Sequence, residues 1–419
     1  MGVNISAIGM ISSLGQNVTD SAKTLFAQEP ADLKQWTKTD KESVPVMAVT
    51  ADLPAPDESL KEYDCRNNRL AQAAFDQIAV MVAKAISFYG AENTGVVAGS
   101  STSGLDATEK SFEHYKESGF HLDSYSFEHQ HAMGSLSDFI VKLSGAKGPA
   151  YTVSTACSSA AKAMLSAKAL IDAGICKAVI TGGVDTLCNL TVNGFDALGQ
   201  MSAKRLNPLS ANRSGLNIGE GGALFLLTAL SDKSESDDVS DFKSDDLPGF
   251  FNNTGIVLKG GGESMDAYHI SAPHPDGLGA KLSMTAALKD AGLSPCDISY
   301  VNLHGTATVA NDAMETKAVK SVLPDVVCSS TKPFTGHCLG ASGAVEAAIC
   351  CISLLDDKKR LPPHVFDGEY DDKIDKLTIV TSGDRYGDSD KKELYFMSNS
   401  FAFGGNNCSI IVGRKRGLL

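Results

Sequence analysis

One cysteine occupies a position where its sulfur could act as a nucleophile. Cys157 lies in the stretch STACSSA at residues 154–160, at the turn between a predicted strand and a predicted helix. The N-terminus of a helix offers free N–H groups and the positive end of the helix dipole, and both favour a thiolate over a thiol. The neighbouring residues are small enough to let a bulky thioester approach. An arbitrary cysteine is more often a small buried hydrophobe, but this turn predicts a nucleophile.

Two histidines each follow a predicted strand and stand near a glycine. His304 opens the motif HGTAT directly after residues 298–303, and His337 lies in KPFTGHCLG just beyond residues 326–331. A side chain at the carboxyl end of a strand faces the ligand-binding edge of an open α/β sheet. A single histidine is more often a core residue, but two of them with Cys157 predict one catalytic pocket. Neutral imidazoles aimed at a carbonyl oxygen would stabilise negative charge that develops there.

A glycine pair near the C-terminus predicts a tight backbone turn. Gly404 and Gly405 lie in the stretch SNSFAFGGNN at residues 398–407. Glycine adopts backbone angles that other residues avoid, so such a turn can aim N–H groups at a ligand. Taken alone, the stretch is equally well explained as a hairpin loop.

The elements that position these residues alternate between strands and helices, which predicts an α/β fold. Two predicted helices are apolar on most faces, and such helices are buried rather than amphipathic. Each follows a strand end rich in serine and threonine, so we predict a duplicated half-fold with both helices in its middle layer. The predicted strands span residues 3–9, 95–99, 151–155, 178–181, 298–303 and 326–331, and these two helices span residues 158–173 and 343–355.

An acidic segment separates the two predicted halves. Residues 231–246 contain seven acids and two lysines, a net charge of −5. Such a segment is expected to be a solvated loop, because it has little apolar surface to bury. We therefore predict a boundary near Asn252, with an N-terminal half over residues 1–252 and a C-terminal half over residues 253–419. The first half carries the cysteine, and the second carries the histidines and the glycine loop.

Length and charge exclude several classes of protein. A chain of 419 residues suits two domains, or two halves that share an interface. The net charge of −13 and the single Trp argue against a nucleic-acid-binding surface, so an acidic partner must bind a local basic patch. No apolar run is long enough to cross a bilayer. The ten cysteines show no zinc-binding spacing, which predicts free thiols in a reducing cytoplasm and no metal site.

Together, these motifs resemble those of the elongating β-ketoacyl-acyl-carrier-protein synthases, condensing enzymes of the thiolase-like superfamily. Further matches follow in the same order along nearly the whole chain: GGVD at 182–185, NPLS at 207–210 and DAYH at 266–269. The resemblance implies a thiolase-like duplicated αβαβα fold of five layers. It also implies the decarboxylative condensation of an acyl group with malonyl-acyl carrier protein, which gives 3-oxoacyl-acyl carrier protein.

The resemblance assigns roles to the chemical residues. It makes Cys157 the acceptor of the acyl group, and it makes His304 and His337 the pair that hydrogen-bonds the malonyl thioester carbonyl while carbon dioxide leaves. Lys332 matches a lysine that organises this cluster together with an acid on a neighbouring helix, for which we expect Glu315.

The resemblance also implies the contacts of the substrate. Thr306 and Thr308 match the threonines that hold the pantetheine arm, and the amides of Cys157 and Phe403 match the oxyanion hole. The ring of Phe403 matches a gating phenylalanine. The other predicted substrate contacts lie in the glycine loop: Phe401, Gly404 and Asn406.

Partners follow from the same resemblance. No resident cofactor is expected, because phosphopantetheine arrives on the acyl carrier protein. A homodimer is implied, and a heterodimer with a related subunit stays open. Carrier docking needs positive charge, for which the candidates are Lys61, Arg66, Arg69, Lys204 and Arg205.

Departures from the family pattern leave the pathway open. Ala402 stands where relatives often have glycine, and Asn406 stands where they often have threonine. Residues 206–222 form a shorter stretch than in the common fatty-acid enzymes and resemble synthases of specialised clusters, such as those making aryl polyenes. The alternative is therefore a ketosynthase of a specialised polyketide or aryl polyene pathway, paired with a chain-length-determining subunit.

A third interpretation is that the chain is itself a chain-length-determining subunit that binds an acyl carrier without catalysing. Cys157 and both histidines argue against it, because such subunits usually lack the nucleophile. A simple thiolase would use a second cysteine, and Cys408 stands in the wrong context for that role.

Overall fold

The computed structural model describes residues 2–38, 42–229, 255–386 and 393–415. The strands are β1 (Val3–Ser12), β2 (Lys34–Thr37), β3 (Ser43–Val46), β4 (Thr94–Gly99), β5 (Ala150–Val153), β6 (Ala178–Asp185), β7 (Gly221–Thr228), β8 (Ile256–Met265), β9 (Ile298–Asn302), β10 (Val327–Ser329), β11 (Thr378–Ile379), β12 (Glu393–Phe401) and β13 (Asn406–Lys415). The helices are α1 (Val18–Ala27), α2 (Arg66–Asp76), α3 (Ala79–Tyr89), α4 (Leu105–Ser118), α5 (Ser135–Ser144), α6 (Ser159–Asp172), α7 (Asn189–Ala197), α8 (Leu278–Ala291), α9 (Val309–Val322), α10 (Lys332–Thr335) and α11 (Ser342–Leu355).

One mixed sheet of eleven strands runs through the molecule, in the order β11-β10-β9-β12-β13-β8-β1-β7-β6-β4-β5. Its order repeats internally. The series β1, β7, β6, β4, β5 pairs antiparallel, antiparallel, parallel and parallel. The series β8, β13, β12, β9, β10 pairs in the same four senses. The two series join where Val3 and Asn4 of β1 pair with β8, so the predicted duplication is confirmed.

Helices α6 and α11 form the middle of five layers. Both contribute to one hydrophobic cluster that also contains Phe225 from the first half of the sheet and Phe396 from the second. The outer face of the first half packs against α2, α3 and α5. The outer face of the second half packs against α8 and α9. This arrangement is the predicted αβαβα fold.

Small residues let the middle layer pack closely. A Cβ atom on Gly99 would lie 2.5 Å from the amide nitrogen of Ala160, and one on Gly183 would lie 2.6 Å from the Cβ of Ala160. These glycines therefore allow the N-terminus of α6 to rest directly on β4 and β6. The two middle helices meet in the same way, because a Cβ atom on Gly343 would lie 2.8 Å from the Cβ of Ala161.

The predicted elements agree with the observed ones to within a few residues. The helix predicted over 158–173 is α6, and the helix predicted over 343–355 is α11. Every residue of α11 except the last is buried, as its apolar pattern predicts. The acidic segment 231–246 and the boundary near Asn252 lie outside the described residues. In the part of the chain that the structure describes, no helix combines the length and apolarity needed to span a bilayer.

Candidate active site

Cys157 lies on the turn between β5 and α6, as the sequence predicts. Ala156, which precedes it, has a φ of 52°, in the left-handed region that residues other than glycine seldom adopt. Such strained residues cluster at functional sites. The cysteine is 6% exposed, and it lines a cavity that it shares with His304 and His337.

The protonation state of this cysteine differs from the sequence prediction. Burial raises the pKa of the Cys157 thiol to about 11, although the charge of Lys332 and the amide of Phe403 act in the opposite direction. The helix N-terminus therefore does not compensate for the loss of water around the sulfur. At neutral pH the sulfur is a thiol, and a nearby base has to take its proton during attack.

His337 is the base within reach of the sulfur. Its Nε2 lies 3.0 Å from Sγ of Cys157, and its Nδ1 lies 3.0 Å from Oγ of Ser342. Its backbone is also fixed, because its N–H donates to the carbonyl of Asn217 and its carbonyl accepts from the N–H of Gly219. The imidazole is thus held with one nitrogen on the nucleophile.

His304 faces His337, with ring centroids 5.2 Å apart and planes at 86°. Nζ of Lys332 lies 3.4 Å from Nδ1 of His304 and donates to the carbonyl of His304. An ammonium group only donates hydrogen bonds, so Nδ1 of His304 must accept, and its ring proton lies on Nε2. His304 is therefore oriented as an Nε2–H donor.

The acid that pairs with Lys332 is Glu346, and the sequence prediction of Glu315 is wrong. Oε1 of Glu346 on α11 lies 2.5 Å from Nζ of Lys332, and both side chains are buried. Glu315 on α9 instead accepts the backbone N–H groups of His304 and Gly305, at 2.7 Å each. It thereby fixes the turn that carries His304. The signal for the correct pair was present, because a lone carboxylate in an otherwise uncharged buried helix needs a buried cation.

Burial and the charge of Lys332 keep both imidazoles neutral. Together they lower the pKa of His304 and of His337 well below the usual value. The hydroxyl of Ser342 can either donate to Nδ1 of His337 or accept from it. His337 can therefore work in both neutral tautomers, whereas Lys332 restricts His304 to one.

The glycine loop lies beside the sulfur. The backbone N–H of Phe403 interacts with Cys157, and Gly404 has a φ of 78°, which glycine adopts without strain. The ring of Phe403 stacks on the ring of Phe195 with centroids 5.2 Å apart. These positions are compatible with the roles predicted for Phe403, in the oxyanion hole and as a gate.

Cys157, His304, His337 and Phe403 line a cavity of about 200 Å³, whereas Lys332 is not among its lining residues. Thr306 and Thr308 lie on its wall, and their hydroxyl oxygens are 3.0 Å apart. Phe401 also lines it, with its ring centroid 6.1 Å from that of His304. Both threonines therefore face the cavity, and their role in holding a pantetheine arm stays a prediction.

Two predicted substrate contacts lie away from the cavity wall. The residues that the structure shows lining the cavity do not include Gly404 or Asn406. Oδ1 of Asn406 accepts a hydrogen bond from Nζ of Lys162 at 3.3 Å instead. Phe195 and Asn407 also line the cavity, and neither was predicted as a site residue. Asn407 follows the glycine pair and was within reach of a pattern argument, whereas Phe195 on α7 belongs to no motif.

The same donor set could hold a metal ion, although the sequence predicts no metal site. Sγ of Cys157 and one ring nitrogen from each of His304 and His337 lie within 4.8 Å of one another. One sulfur and two imidazole nitrogens suit Zn²⁺. An ion bound there would occupy the nucleophile, so it would inhibit the chemistry rather than assist it.

The candidate docking residues are largely engaged within the chain. Arg205 is partly exposed and donates to the carbonyls of Ala31 and Pro333. Lys204 is exposed and forms no ion pair with any residue in the described ranges. The other three form ion pairs at 2.5 Å: Lys61 with Glu58, Arg66 with Glu220, and Arg69 with Asp64.

Comparison with protein families identifies the class of protein. Residues 2–233 match the family described as beta-ketoacyl synthase, N-terminal domain, and residues 256–365 match beta-ketoacyl synthase, C-terminal domain. The first match alone covers more than half of the chain. The chain belongs to the beta-ketoacyl synthase family.

Individual relatives agree with this assignment. A 3-oxoacyl-[acyl-carrier-protein] synthase 2 from Synechocystis sp. is 36% identical over 277 residues, which cover 64% of this chain and 62% of that protein. The chain thus spans a little under two-thirds of the length of the curated relatives it matches.

Solved structures are similar over nearly the whole chain. One is the ketosynthase ApeO in complex with its chain length factor ApeC from Xenorhabdus doucetiae, at 38% identity and a TM-score of 0.88, covering 99% of this chain and 98% of the matched chain. Another is a beta-ketoacyl synthase from Burkholderia phymatum, at 25% identity and a TM-score of 0.83, covering 99% and 100%. The predicted thiolase-like fold is confirmed.

Proposed function

We propose that this chain joins an acyl group held on Cys157 to malonyl-acyl carrier protein with loss of carbon dioxide, giving 3-oxoacyl-acyl carrier protein. The observation that carries the proposal is the 3.0 Å contact between Sγ of Cys157 and Nε2 of His337. The neutral imidazole of His304 faces His337, and all three residues line the same cavity. Membership of the beta-ketoacyl synthase family supports the same class of reaction.

The first half-reaction loads the enzyme. Sγ of Cys157 attacks the thioester carbonyl of an acyl carrier, and Nε2 of His337 accepts the thiol proton as the S–C bond forms. The amides of Cys157 and Phe403 stabilise the oxyanion of the tetrahedral intermediate. When that intermediate collapses, the bond to the pantetheine sulfur breaks, and His337 returns the proton to that sulfur. The imidazole ends neutral, as its burial favours.

The second half-reaction begins when a malonyl thioester replaces the free carrier. The bond to its carboxylate breaks, carbon dioxide leaves, and the electron pair moves into a thioester enolate. Nε2–H of His304 donates to the enolate oxygen, and His337 does the same in its other tautomer, with the hydroxyl of Ser342 donating to Nδ1. A single donor of this kind is typically worth on the order of a hundredfold in rate.

Condensation completes the cycle. The enolate carbon attacks the acyl carbonyl on Cys157, a C–C bond forms, and the C–S bond to the enzyme breaks. The sulfur leaves as a thiolate and takes up one proton from solvent, which restores the thiol favoured by its surroundings. We include no resident cofactor, because the phosphopantetheine arm belongs to the carrier substrate. All ten cysteines are free, which suits a reaction in the reducing cytoplasm.

Intact-mass measurement after incubation with acyl carriers tests the proposal. The wild-type chain is expected to gain one acyl mass, and Cys157→Ala is expected to gain none and to form no 3-oxoacyl product. Cys296→Ala is the matched control, because Cys296 is an exposed thiol and reports non-specific acylation. An acyl adduct on Cys157→Ala, absent from Cys296→Ala, would contradict the assignment of the nucleophile.

A second candidate concerns the pathway rather than the reaction. The 38% identity to a chain of the complex between ApeO and its chain length factor favours a specialised polyketide or polyene pathway. In that case the chain pairs with a related chain-length-determining subunit, whereas a fatty-acid enzyme would act as a homodimer. Strand β5 ends the sheet, and its outer edge offers backbone N–H and C=O groups to a second subunit. Native mass spectrometry shows whether the purified chain is a homodimer, and a condensation assay on the same sample shows whether it is active. Full condensing activity in a homodimer alone would contradict the need for a related subunit.

A further inference from the structure

Lys162 links the helix that follows the nucleophile to the turn that carries Phe403. It lies on α6, five residues after Cys157. Its Nζ lies 3.3 Å from Oδ1 of Asn406, to which it donates, and 3.6 Å from Oε2 of Glu263 on β8. The side chain of Lys162 is only 14% exposed. Lysine is rarely buried without a partner, so these two contacts hold its ammonium group in place.

Asn406 closes the turn at residues 402–406, which we call the Phe403 turn. The carbonyl of Asn406 accepts the N–H of Ala402 at 2.8 Å, and the carbonyl of Ala402 accepts the N–H of Gly405 at 3.1 Å. The backbone N–H of Phe403, within this turn, interacts with Cys157. A displacement of Asn406 would therefore move the N–H of Phe403 relative to the sulfur.

The Phe403 turn is held from two sides. On the side of the loop after β8, the carbonyl of Ile270 accepts the N–H of Gly404 at 2.7 Å. On the side of α6, Lys162 holds the side chain of Asn406. Helix α6 follows β5 in the first half of the fold, whereas the turn joins β12 to β13 in the second half. Lys162 therefore fixes the turn relative to the helix that starts beside the nucleophile.

We propose that Lys162 is a positioning residue for acyl transfer to the enzyme. Its hydrogen bond to Asn406 holds the N–H of Phe403 where that group stabilises the oxyanion of the tetrahedral intermediate. This inference rests on the proposed condensing function and adds a residue to it. An oxyanion donor acts only at hydrogen-bonding distance from the oxygen, so a small displacement of the donor slows the reaction. Lys162 is not among the described residues that line the cavity, so it acts through Asn406.

The proposal separates two steps of the reaction. In the proposed mechanism, the oxyanion of acyl transfer forms on Cys157 beside the N–H of Phe403, whereas the imidazoles of His304 and His337 hold the enolate of decarboxylation. Loss of the link is therefore expected to slow loading and to spare decarboxylation. A general loosening of the site would slow both steps.

The test measures two single-turnover rates in the full-length protein. Loading is followed by intact mass with the acyl carrier that the wild-type chain accepts best, and decarboxylation is followed by release of labelled carbon dioxide from malonyl-acyl carrier protein. Lys162→Met keeps an unbranched side chain without the ammonium group. It is expected to slow loading about tenfold, less than the roughly hundredfold loss of a whole oxyanion donor, because the N–H of Phe403 is displaced rather than removed. The carrier concentration that gives half-maximal loading and the rate of decarboxylation are each expected to stay within about twofold.

Lys168→Met is the matched control. Lys168 lies on the same helix, and its side chain is 7% exposed. It pairs with Asp172 at 2.6 Å and with Asp290 on α8 at 3.7 Å. This variant loses the same kind of buried ammonium group, but neither partner belongs to the Phe403 turn, so loading is expected to stay within about twofold of the wild-type rate.

Two substitutions of Asn406 test the link from its other end. Asn406→Asp keeps an acceptor for Lys162 and is expected to load within about threefold of the wild-type rate. Asn406→Leu removes the acceptor and is expected to match Lys162→Met. The double variant Lys162→Met with Asn406→Leu is expected to be no slower than either single variant, because residues that act through one contact are not additive.

The outcomes separate this inference from the proposed function. A wild-type chain that fails to load overturns the condensing function and the positioning role with it. A chain that loads overturns the positioning role alone if Lys162→Met leaves loading unchanged, slows loading and decarboxylation equally, or matches Lys168→Met. A double variant whose loss is the product of the two single losses also overturns it. If Lys162→Met does not fold, equal loading by Asn406→Asp and Asn406→Leu overturns it.

Discussion

Replacing Ser342 by alanine removes the hydroxyl that contacts Nδ1 of His337 at 3.0 Å. The site is buried, with Ser342 at 2% exposure and His337 at 1%, so water does not readily replace the lost partner. A buried polar atom without a partner costs about 1–3 kcal/mol. Ser342 is the partner of Nδ1 in either neutral tautomer, so its loss removes the contact that orients the imidazole and aims its Nε2–H at the enolate.

The expected effect on the rate follows directly. One tenfold change corresponds to about 1.4 kcal/mol, so Ser342→Ala is expected to slow decarboxylation of malonyl-acyl carrier protein roughly 5- to 140-fold. KM for the carrier is expected to stay within about twofold, because Ser342 contacts the imidazole and does not line the cavity. The assay is release of labelled carbon dioxide under single-turnover conditions.

Two controls make this prediction specific. Ser342→Thr keeps a hydroxyl and is expected to retain most of the rate. Ser283→Ala removes a buried hydroxyl on α8 that bonds Ser409 and the carbonyl of Ala280. Neither of these bonds involves an imidazole, so this variant is expected to leave the decarboxylation rate unchanged. Equal rates in Ser342→Ala and the wild type would refute the role assigned to Ser342 in orienting His337.

Three further predictions concern the cluster around Cys157 and its two histidines. His337→Ala is expected to slow decarboxylation by about a hundredfold or more. Its loading rate is expected to rise about tenfold per pH unit between pH 7 and 9, because without the imidazole base the rate follows the fraction of Cys157 thiolate, whose pKa is raised by burial. A loading rate, measured by intact mass, that does not change with pH would contradict this prediction. Glu346→Gln leaves Lys332 as an unpaired buried charge and is expected to lower the free energy of unfolding, measured with denaturant, by about 3 kcal/mol. The double variant Lys332→Met with Glu346→Leu is expected to recover stability but not decarboxylation. An unchanged denaturation midpoint in Glu346→Gln would contradict the buried ion pair between Lys332 and Glu346. Zn²⁺ is expected to inhibit loading of Cys157 reversibly, with activity restored by a chelator, and insensitivity to added zinc would exclude that donor set as a ligand.

The sequence predicts the fold well because its signals are local. The apolar faces of α6 and α11 and the glycines near strand ends report burial and tight turns without knowledge of the partner. His304 and His337 follow β9 and β10, which are parallel neighbours and bring the two histidines to one edge of the sheet. Cys157 follows β5 in the other half, and the packing of the two halves through α6 and α11 brings it to the same cavity. The residues that gather at the cavity were therefore identifiable before their distances were known.

The errors concern pairings across long sequence separations. Arg66 and Glu220 are 154 residues apart, so nothing near Arg66 shows that its charge is already neutralised. The acid that pairs with Lys332 was predicted on the wrong helix: Glu315 and Glu346 both lie close to the cluster, and the signal that favours Glu346 is that it is the lone carboxylate of the buried helix α11. The state of Cys157 was predicted from the helix N-terminus, a local effect, whereas burial by distant segments has the larger influence on its pKa.

The crossing of α6 and α11 at Gly343 and Ala161 sets a mechanical limit on the chemistry. The sulfur is carried by the start of one helix, and Ser342, which holds the imidazole, begins the other. A side chain at position 343 would push the two helices apart and lengthen the distance between Sγ of Cys157 and Nε2 of His337. The glycine at this crossing therefore sets the distance over which the proton is transferred.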